Sequence, residues 1–335
     1  MPPQTSQEII AALRESEPER RNEALAMLWL RGAKHTDVVP ALIDQLGDED
    51  ITLRETAAEA LSCFGALARE AVEPLCEALR EPDREVCLRA AHALGTMGDA
   101  AREALPSLYD LFNDTDEEIR LAAAMAVTAI ESNRPALIAR LCELLRSERP
   151  RTRGAAAHAL ERLGPNAADA VDALIEALGD PEQSVRARAA HALREIGPAA
   201  QESVPRLLEI LESGDLEISV LTALSHIGLA DPESARRLVP FIHSGREGAR
   251  MLAIATLGGM GAAAQSAMLP LIELMLDTRE WGDVRKRAAV ALAAIGEALG
   301  DDAEPIVEAL REASEAEDLV VQLTAKDVLK RLMTH

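Results

Sequence analysis

A leucine that returns every 33 residues constrains this chain more than any other feature. The series is Ile9, Leu42, Leu75, Leu108, Leu141, Leu174, Leu207, Leu238, Leu271 and Ile306, at intervals of 33, 33, 33, 33, 33, 33, 31, 33 and 35. A second series runs in parallel: Leu28, Leu61, Leu94, Val127, Leu160, Leu193, Leu224, Leu257, Leu292 and Leu329. A period of this size marks units too small to bury their own apolar faces, which must stack on their neighbours. At 335 residues the chain would otherwise suggest about two globular domains. The period predicts instead a single body over 1–335, with repeats starting near residues 5, 38, 71, 104, 135, 170, 203, 234, 267 and 302.

Each unit reads as two helices. In the first, the anchor and the residue four places on are apolar, as in Leu42/Leu46, Leu174/Leu178 and Leu207/Leu211. The second is rich in alanine. In Val185–Ile196 the apolar residues Val185, Ala189, Leu193 and Ile196 form one stripe at helical spacing. A glycine four places after the second anchor (Gly32, Gly65, Gly98, Gly164, Gly197, Gly228, Gly261 and Gly296) fits a helix C-cap. Ser6 is the expected N-cap of the first helix, and Pro240 is expected to shorten its own. The expected fold is all-α: a right-handed α-solenoid of about ten two-helix repeats with one convex and one concave face.

Composition narrows the task. Acidic residues outnumber basic ones 57 to 35, giving a net charge of −22, so the basic footprint that a phosphate polymer needs is missing. Six aromatics cannot build base-stacking platforms. The uncharged stretch Met251–Ile272 contains Gly258, Gly259, Gly261, Gln265 and Pro270, and reads as helix, glycine turn and helix rather than a membrane span. Cys63, Cys76, Cys87 and Cys142 form no CxxC and read as buried thiols in a reducing, cytoplasmic setting. No secretory leader is expected from Met1–Ser6.

The unit Leu178-Gly-Asp-Pro-Glu-Gln-Ser-Val-Arg-Ala-Arg-Ala-Ala-His-Ala-Leu-Arg-Glu-Ile-Gly197 resembles HEAT repeats, particularly the short HEAT-like repeats of the phycobilisome-lyase type. The resemblance covers roughly residues 5–333. The signatures of ankyrin and tetratricopeptide repeats are missing. In the HEAT family an Asp in the inter-helix turn and an Arg opening the second helix link neighbouring repeats. The resemblance therefore implies a structural ladder of Arg21, Arg54, Arg120, Arg153, Arg186, Arg250 and Arg285 with Asp48, Asp114, Asp180 and Asp277. Cys87, Glu217 and Gln322 depart from the Arg pattern, and Ser147, Ser213 and Ser244 from the Asp pattern. Repeat seven lacks both partners, which predicts a weak joint near Ser213–Glu217.

Chemistry has few carriers. The chain has no His-Glu dipeptide, whereas HEAT-like deoxyhypusine hydroxylases bind iron through such pairs. It also has no HExxH and no GxxxxGK. Gly259-Met-Gly261 follows a helix rather than a strand, so it does not read as a dinucleotide loop. His92, His158 and His191 share one register on the expected concave side, too far apart to hold one metal. Neither a metal nor a cofactor is expected.

Two surfaces remain as candidates. Leu88, Leu121, Met125, His158, His191, Ile218, Met251, Leu252 and Val290 fall at concave registers and are the candidate partner-binding residues; inter-repeat packing is the alternative. Asp44, Glu77, Asp110, Glu143, Glu176, Glu209, Glu273 and Glu308 form a convex acidic column, either a solubilising face or a dock for a basic partner. The expectation is a non-enzymatic, monomeric scaffold or adaptor that binds one or more proteins, with no nucleic acid and no membrane as partner. The alternative is a chromophore (bilin) lyase-like enzyme, as the resemblance implies, or another enzyme using the same concave groove.

Overall fold

The computed structural model describes residues 5–31, 34–131, 134–315 and 319–332. The chain divides into two compact units, Met1–Asn166 and Ala167–His335. The first unit contains α1 (Ser6–Leu13), α2 (Pro18–Arg31), α3 (Val39–Leu46), α4 (Ile51–Ser62), α5 (Val72–Ala78), α6 (Arg84–Met97), α7 (Leu105–Asp110), α8 (Glu117–Ile130), α9 (Arg134–Leu144) and α10 (Pro150–Leu163). The second contains α11 (Val171–Ala177), α12 (Gln183–Ile196), α13 (Val204–Glu212), α14 (Glu217–Ile227), α15 (Pro232–Leu238), α16 (Glu247–Gly259), α17 (Met268–Leu276), α18 (Gly282–Leu299), α19 (Glu304–Ala313) and α20 (Leu319–Leu332). Each unit is an all-α solenoid stack of helix pairs, and no strand occurs among the described residues.

The two periodic series form the core. All ten first-series anchors are fully buried, and so are nine of the second series. Leu329 is partly exposed and sits on α20, the last described helix. Burying a leucine side chain stabilises a fold by roughly 1.5–3 kcal/mol, so the repeat anchors dominate the favourable side of folding.

Alanine has a second role, at the residue before seven of the ten second anchors. Ala60, Ala93, Ala126, Ala159, Ala192, Ala223 and Ala291 are all buried there. A Cβ added to Gly95 on α6 would lie 3.2 Å from the Ala126 Cα on α8, and one on Gly258 of α16 would lie 2.9 Å from the Ala291 Cα on α18. Small residues thus let second helices lie against one another almost backbone to backbone.

Local signals set the helix ends. Asp50, Asp83 and Asp116 cap α4, α6 and α8 by accepting backbone N–H groups from Thr52, Val86 and Glu118. Gly65, Gly98, Gly164, Gly197, Gly228 and Gly261 take positive φ values at the ends of second helices or in the residues that follow them. Gly32 lies outside the described residues.

Gly296 corrects the pattern. It lies buried inside α18, which runs one turn longer and is closed by Gly300 at φ 58°. A Cβ at Gly296 would meet Leu332 at 3.1 Å, so the glycine there makes room for α20. A second correction concerns α1. Thr5, not Ser6, is the N-cap, because Thr5 and Glu8 close a reciprocal capping box. Ser6 instead donates to Asp37 Oδ1 at 2.8 Å. As expected from Pro240, α15 stops at Leu238 and continues as a tighter 3₁₀ turn.

Candidate functional site

The turn between the two helices of a repeat fixes how each second helix is presented. The Asp side chains of this register bind their own turns. Asp48, Asp114, Asp180 and Asp277 each accept the N–H of the residue two places on, at 2.8–2.9 Å. This is the Asx turn that short acidic side chains form readily. Ser147 and Ser244 accept the same bond at 3.3 and 3.2 Å, so these departures from Asp keep its role.

The Arg register satisfies backbone carbonyls, most of them in the turn that follows the first helix. Arg54 donates to the carbonyls of Asp48 and Glu49, Arg120 to Asp114 and Thr115, Arg153 to Ser147 and Glu148, and Arg186 to Asp180 and Pro181. Arg21 reaches the Glu15 carbonyl, and Arg285 that of Met275. A carbonyl in such a turn lies outside the helical ladder, so the guanidinium group satisfies it.

Links between repeats do exist, but they go to other carboxylates. Arg54 meets Glu81 at 2.8 Å, Arg186 meets Asp215 at 2.7 Å and Arg250 meets Glu280 at 2.7 Å. Burial pushes the Asp215 carboxyl up, but hydrogen bonds from Arg186 and Gln183 outweigh it and hold the group below the usual range. Where Cys87 replaces Arg, its thiol donates to the Leu79 carbonyl, and Arg84 supplies the link by reaching Asp116 at 2.8 Å. Repeat seven differs. Ser213 donates back to the Ile210 carbonyl, Gly214 adopts φ 78°, and Leu216 is the only non-glycine with positive φ among the described residues. There Glu217 forms an ion pair with Arg246 from the next repeat at 3.8 Å, reversing the usual direction of the link.

The exposed face of the second-helix layer carries the candidate partner-binding residues. On the neighbouring helices α6 and α8, Leu88 and Leu121 are partly buried and Met125 is 49% exposed. On α14, α16 and α18, Ile218 and Val290 are 48% and 46% exposed, while Met251 and Leu252 between them are partly buried. The structure therefore groups these residues into two patches, one in each unit. His158 lies 3.3 Å from Glu161 on its own helix. His191 is partly buried and belongs to the other unit. Among the described residues no three His, Cys, Asp or Glu side chains are placed to hold a metal ion.

The first helices present the acidic column. Asp44, Glu77, Asp110, Glu143, Glu176, Glu209, Glu273 and Glu308 are all exposed. Glu143 and Glu209 pair along their own helices with Arg140 and Arg206, at 2.8 and 2.7 Å.

Three features escaped the pattern reading. Trp29 is 63% exposed and, with Glu59, Ser62, Glu85, Leu88, Arg89 and His92, lines a hollow of about 260 Å³ on the second-helix face. It stands one residue after a second anchor, a register occupied elsewhere by unrelated side chains, so periodicity gave it no weight. Leu323, 58% exposed, extends the register of Ile218 and Met251 into the tenth repeat. Gln45 is buried in an apolar register, and neither end of its amide has a hydrogen-bond partner.

Burial acts on the thiols of the second helices. Burial pushes Cys63 and Cys87 up to about 11, far from the range of a nucleophilic thiolate.

A family model described as HEAT repeats matches residues 6–86, 72–161, 105–177 and 138–225. The chain belongs to the HEAT repeat family. No curated protein matches it in sequence. Among solved structures it is similar to an engineered protein, at 23% identity over 98% of both chains with a TM-score of 0.53. It is also similar to importin beta, at 17% identity over 97% of this chain and 52% of that one, with a TM-score of 0.70. A third likeness is to Kap121p bound to the extreme C-terminus of the protein phosphatase Cdc14p, at 14% identity over 96% and 42% of the two chains, with a TM-score of 0.57. The chain thus spans about half the length of importin beta and less of Kap121p. These likenesses concern the fold. No helix among the described residues is long and apolar enough to cross a membrane.

Proposed function

We propose that this HEAT-repeat protein is a non-enzymatic, cytoplasmic, monomeric scaffold or adaptor that binds partner proteins on its second-helix face. The observation that carries this reading is the exposure of Met125, Ile218 and Val290 on that face. Large apolar side chains left half in water at neighbouring registers become favourable when a partner covers them. The surrounding geometry suits a surface more than a reaction chamber. The hollow at Trp29 is shallow, and burial pushes the Cys63 and Cys87 thiols up to about 11, away from the thiolate. Kap121p, one of the proteins with a similar fold, is known in complex with Cdc14p, Nup53p and Ste12p, which agrees with peptide or protein capture by this architecture.

The test compares affinity purification and mass spectrometry of the wild type with Ile218→Asp/Val290→Asp and Met251→Asp/Leu252→Asp. The expected result is unchanged helicity with loss of specific partners. An unchanged partner set, or a bound pigment with turnover, would overturn the scaffold reading. If helicity falls only in the Met251/Leu252 variant, those two residues serve inter-repeat packing, and Ile218 and Val290 still decide the question.

A further inference from the structure

We infer that the second-helix face from α14 to α18 binds a peptide segment whose apolar residues are flanked by carboxylates. This rests on the scaffold reading and specifies the partner's chemistry. The water-facing registers of the second helices lie six, five and two residues before the anchor and two after it. On α14, α16, α18 and α20 these sixteen positions hold one carboxylate, Asp327, in a chain with 57 acidic and 35 basic residues. They hold three cations, Lys286, Arg287 and Arg331, of which Arg331 pairs with Glu297 at 2.7 Å.

Lys286 and Arg287 differ from most guanidinium groups of the protein. Arg54, Arg89, Arg186, Arg237 and Arg250 each have a carboxylate within 2.8 Å. Lys286 and Arg287 are exposed on α18 and make no ion pair among the described residues. They stand one helical turn from Val290, on the helix next to the one carrying Met251 and Leu252. Cations left unpaired in so acidic a chain, beside half-exposed hydrocarbon, complement a ligand that brings its own acids to an apolar core.

The floor of the strip also leaves room. Gly259 on α16 is exposed, and a Cβ there would touch nothing within 4 Å. With second helices about 8–10 Å apart, the strip from α14 to α18 is roughly 20 Å long. An amphipathic helix of about four turns spans that length.

A random peptide library displayed on phage, panned against the full chain, tests the inference. Enriched peptides should combine apolar residues with Glu or Asp. In fluorescence anisotropy, Lys286→Glu/Arg287→Glu should weaken a selected peptide by about tenfold or more. Gly259→Leu should also block it by filling the strip, and the fold should survive because the new side chain meets open space and raises helix propensity. Glu77→Lys, on the first-helix face, should bind as the wild type does. Enrichment of basic peptides, insensitivity to Lys286 and Arg287, or equal capture of vesicles containing phosphatidylserine would overturn this inference while leaving the scaffold reading standing. Failure to enrich any peptide, together with a partner set unchanged by Ile218→Asp/Val290→Asp, would overturn both.

Discussion

The second-helix face around α6 and that around α16 and α18 use one backbone pattern for different surfaces. Around α6, Arg89 sits among Glu55, Glu59 and Glu85, at 3.9, 2.6 and 4.0 Å, so its charge is met within the protein. Around α16 and α18 the rows hold Met251, Leu252 and Val290, with Ile218 on α14, and Lys286 and Arg287 beside them make no ion pair among the described residues. The anchors beneath are equally buried in both units. A repeat fixes its inward registers and leaves its outward ones free to vary. Function in such a protein is therefore written in the outward registers.

The largest effect should come from the shared core. Leu94→Ala in the first unit and Leu257→Ala in the second should each cost about 2–5 kcal/mol in urea unfolding. A much smaller cost in one unit would break the equivalence of the two cores. Next comes the irregular turn of repeat seven. Amide exchange across Ser213–Glu217 should be at least about tenfold faster than across Asp180–Arg186, a local difference of about 1.4 kcal/mol. Equal protection would show that the reversed Glu217–Arg246 link holds as well as the usual one.

A smaller contrast separates the two faces directly. Arg89→Ala should destabilise by about 1 kcal/mol because it strands three carboxylates. Removing both Lys286 and Arg287 should stay within about 0.5 kcal/mol, as expected for side chains that hold nothing within the chain. A large loss from the second pair would place these cations in the fold rather than on a binding surface.

The smallest contrast is in pH. Asp215 is held below the usual carboxylate range, so its contribution is present above that range and lost as pH falls through the lowered value. Asp215→Asn should flatten the acid limb of stability below about pH 4. Glu55 works in the opposite sense. Burial raises it despite Arg89, so its ionised form costs stability at neutral pH and that cost disappears in acid. Glu55→Gln should therefore be neutral or stabilising at pH 7 in thermal melts and without effect in acid. Parallel acid limbs for the two variants would remove this distinction.

Sequence alone was enough for the helix pairs, because the 33-residue period and the 3.6-residue stripe both come from burial of hydrocarbon. It also placed the acidic column outside and flagged the joint of repeat seven, where two expected side chains were missing together. Partners within the Arg–Asp register were not legible in it. Residue types were right, but reach and direction decide hydrogen-bond partners. A short Asp carboxylate closes on its own turn first, which leaves the longer Arg to cap carbonyls and cross to Glu81, Asp215 or Glu280. Gly296 was similarly read as a cap, when the approach of Leu332 required it as a helix-interior glycine.

The pattern of apolar anchors thus determined what this chain buries, since burial depends on residue type and spacing. Only the packed structure decided which outward residues remain exposed and which charges find partners. Those outcomes depend on the neighbouring helix, which adds side chains that local spacing does not contain. Trp29, Val290, Lys286 and Arg287 acquire their meaning in that way.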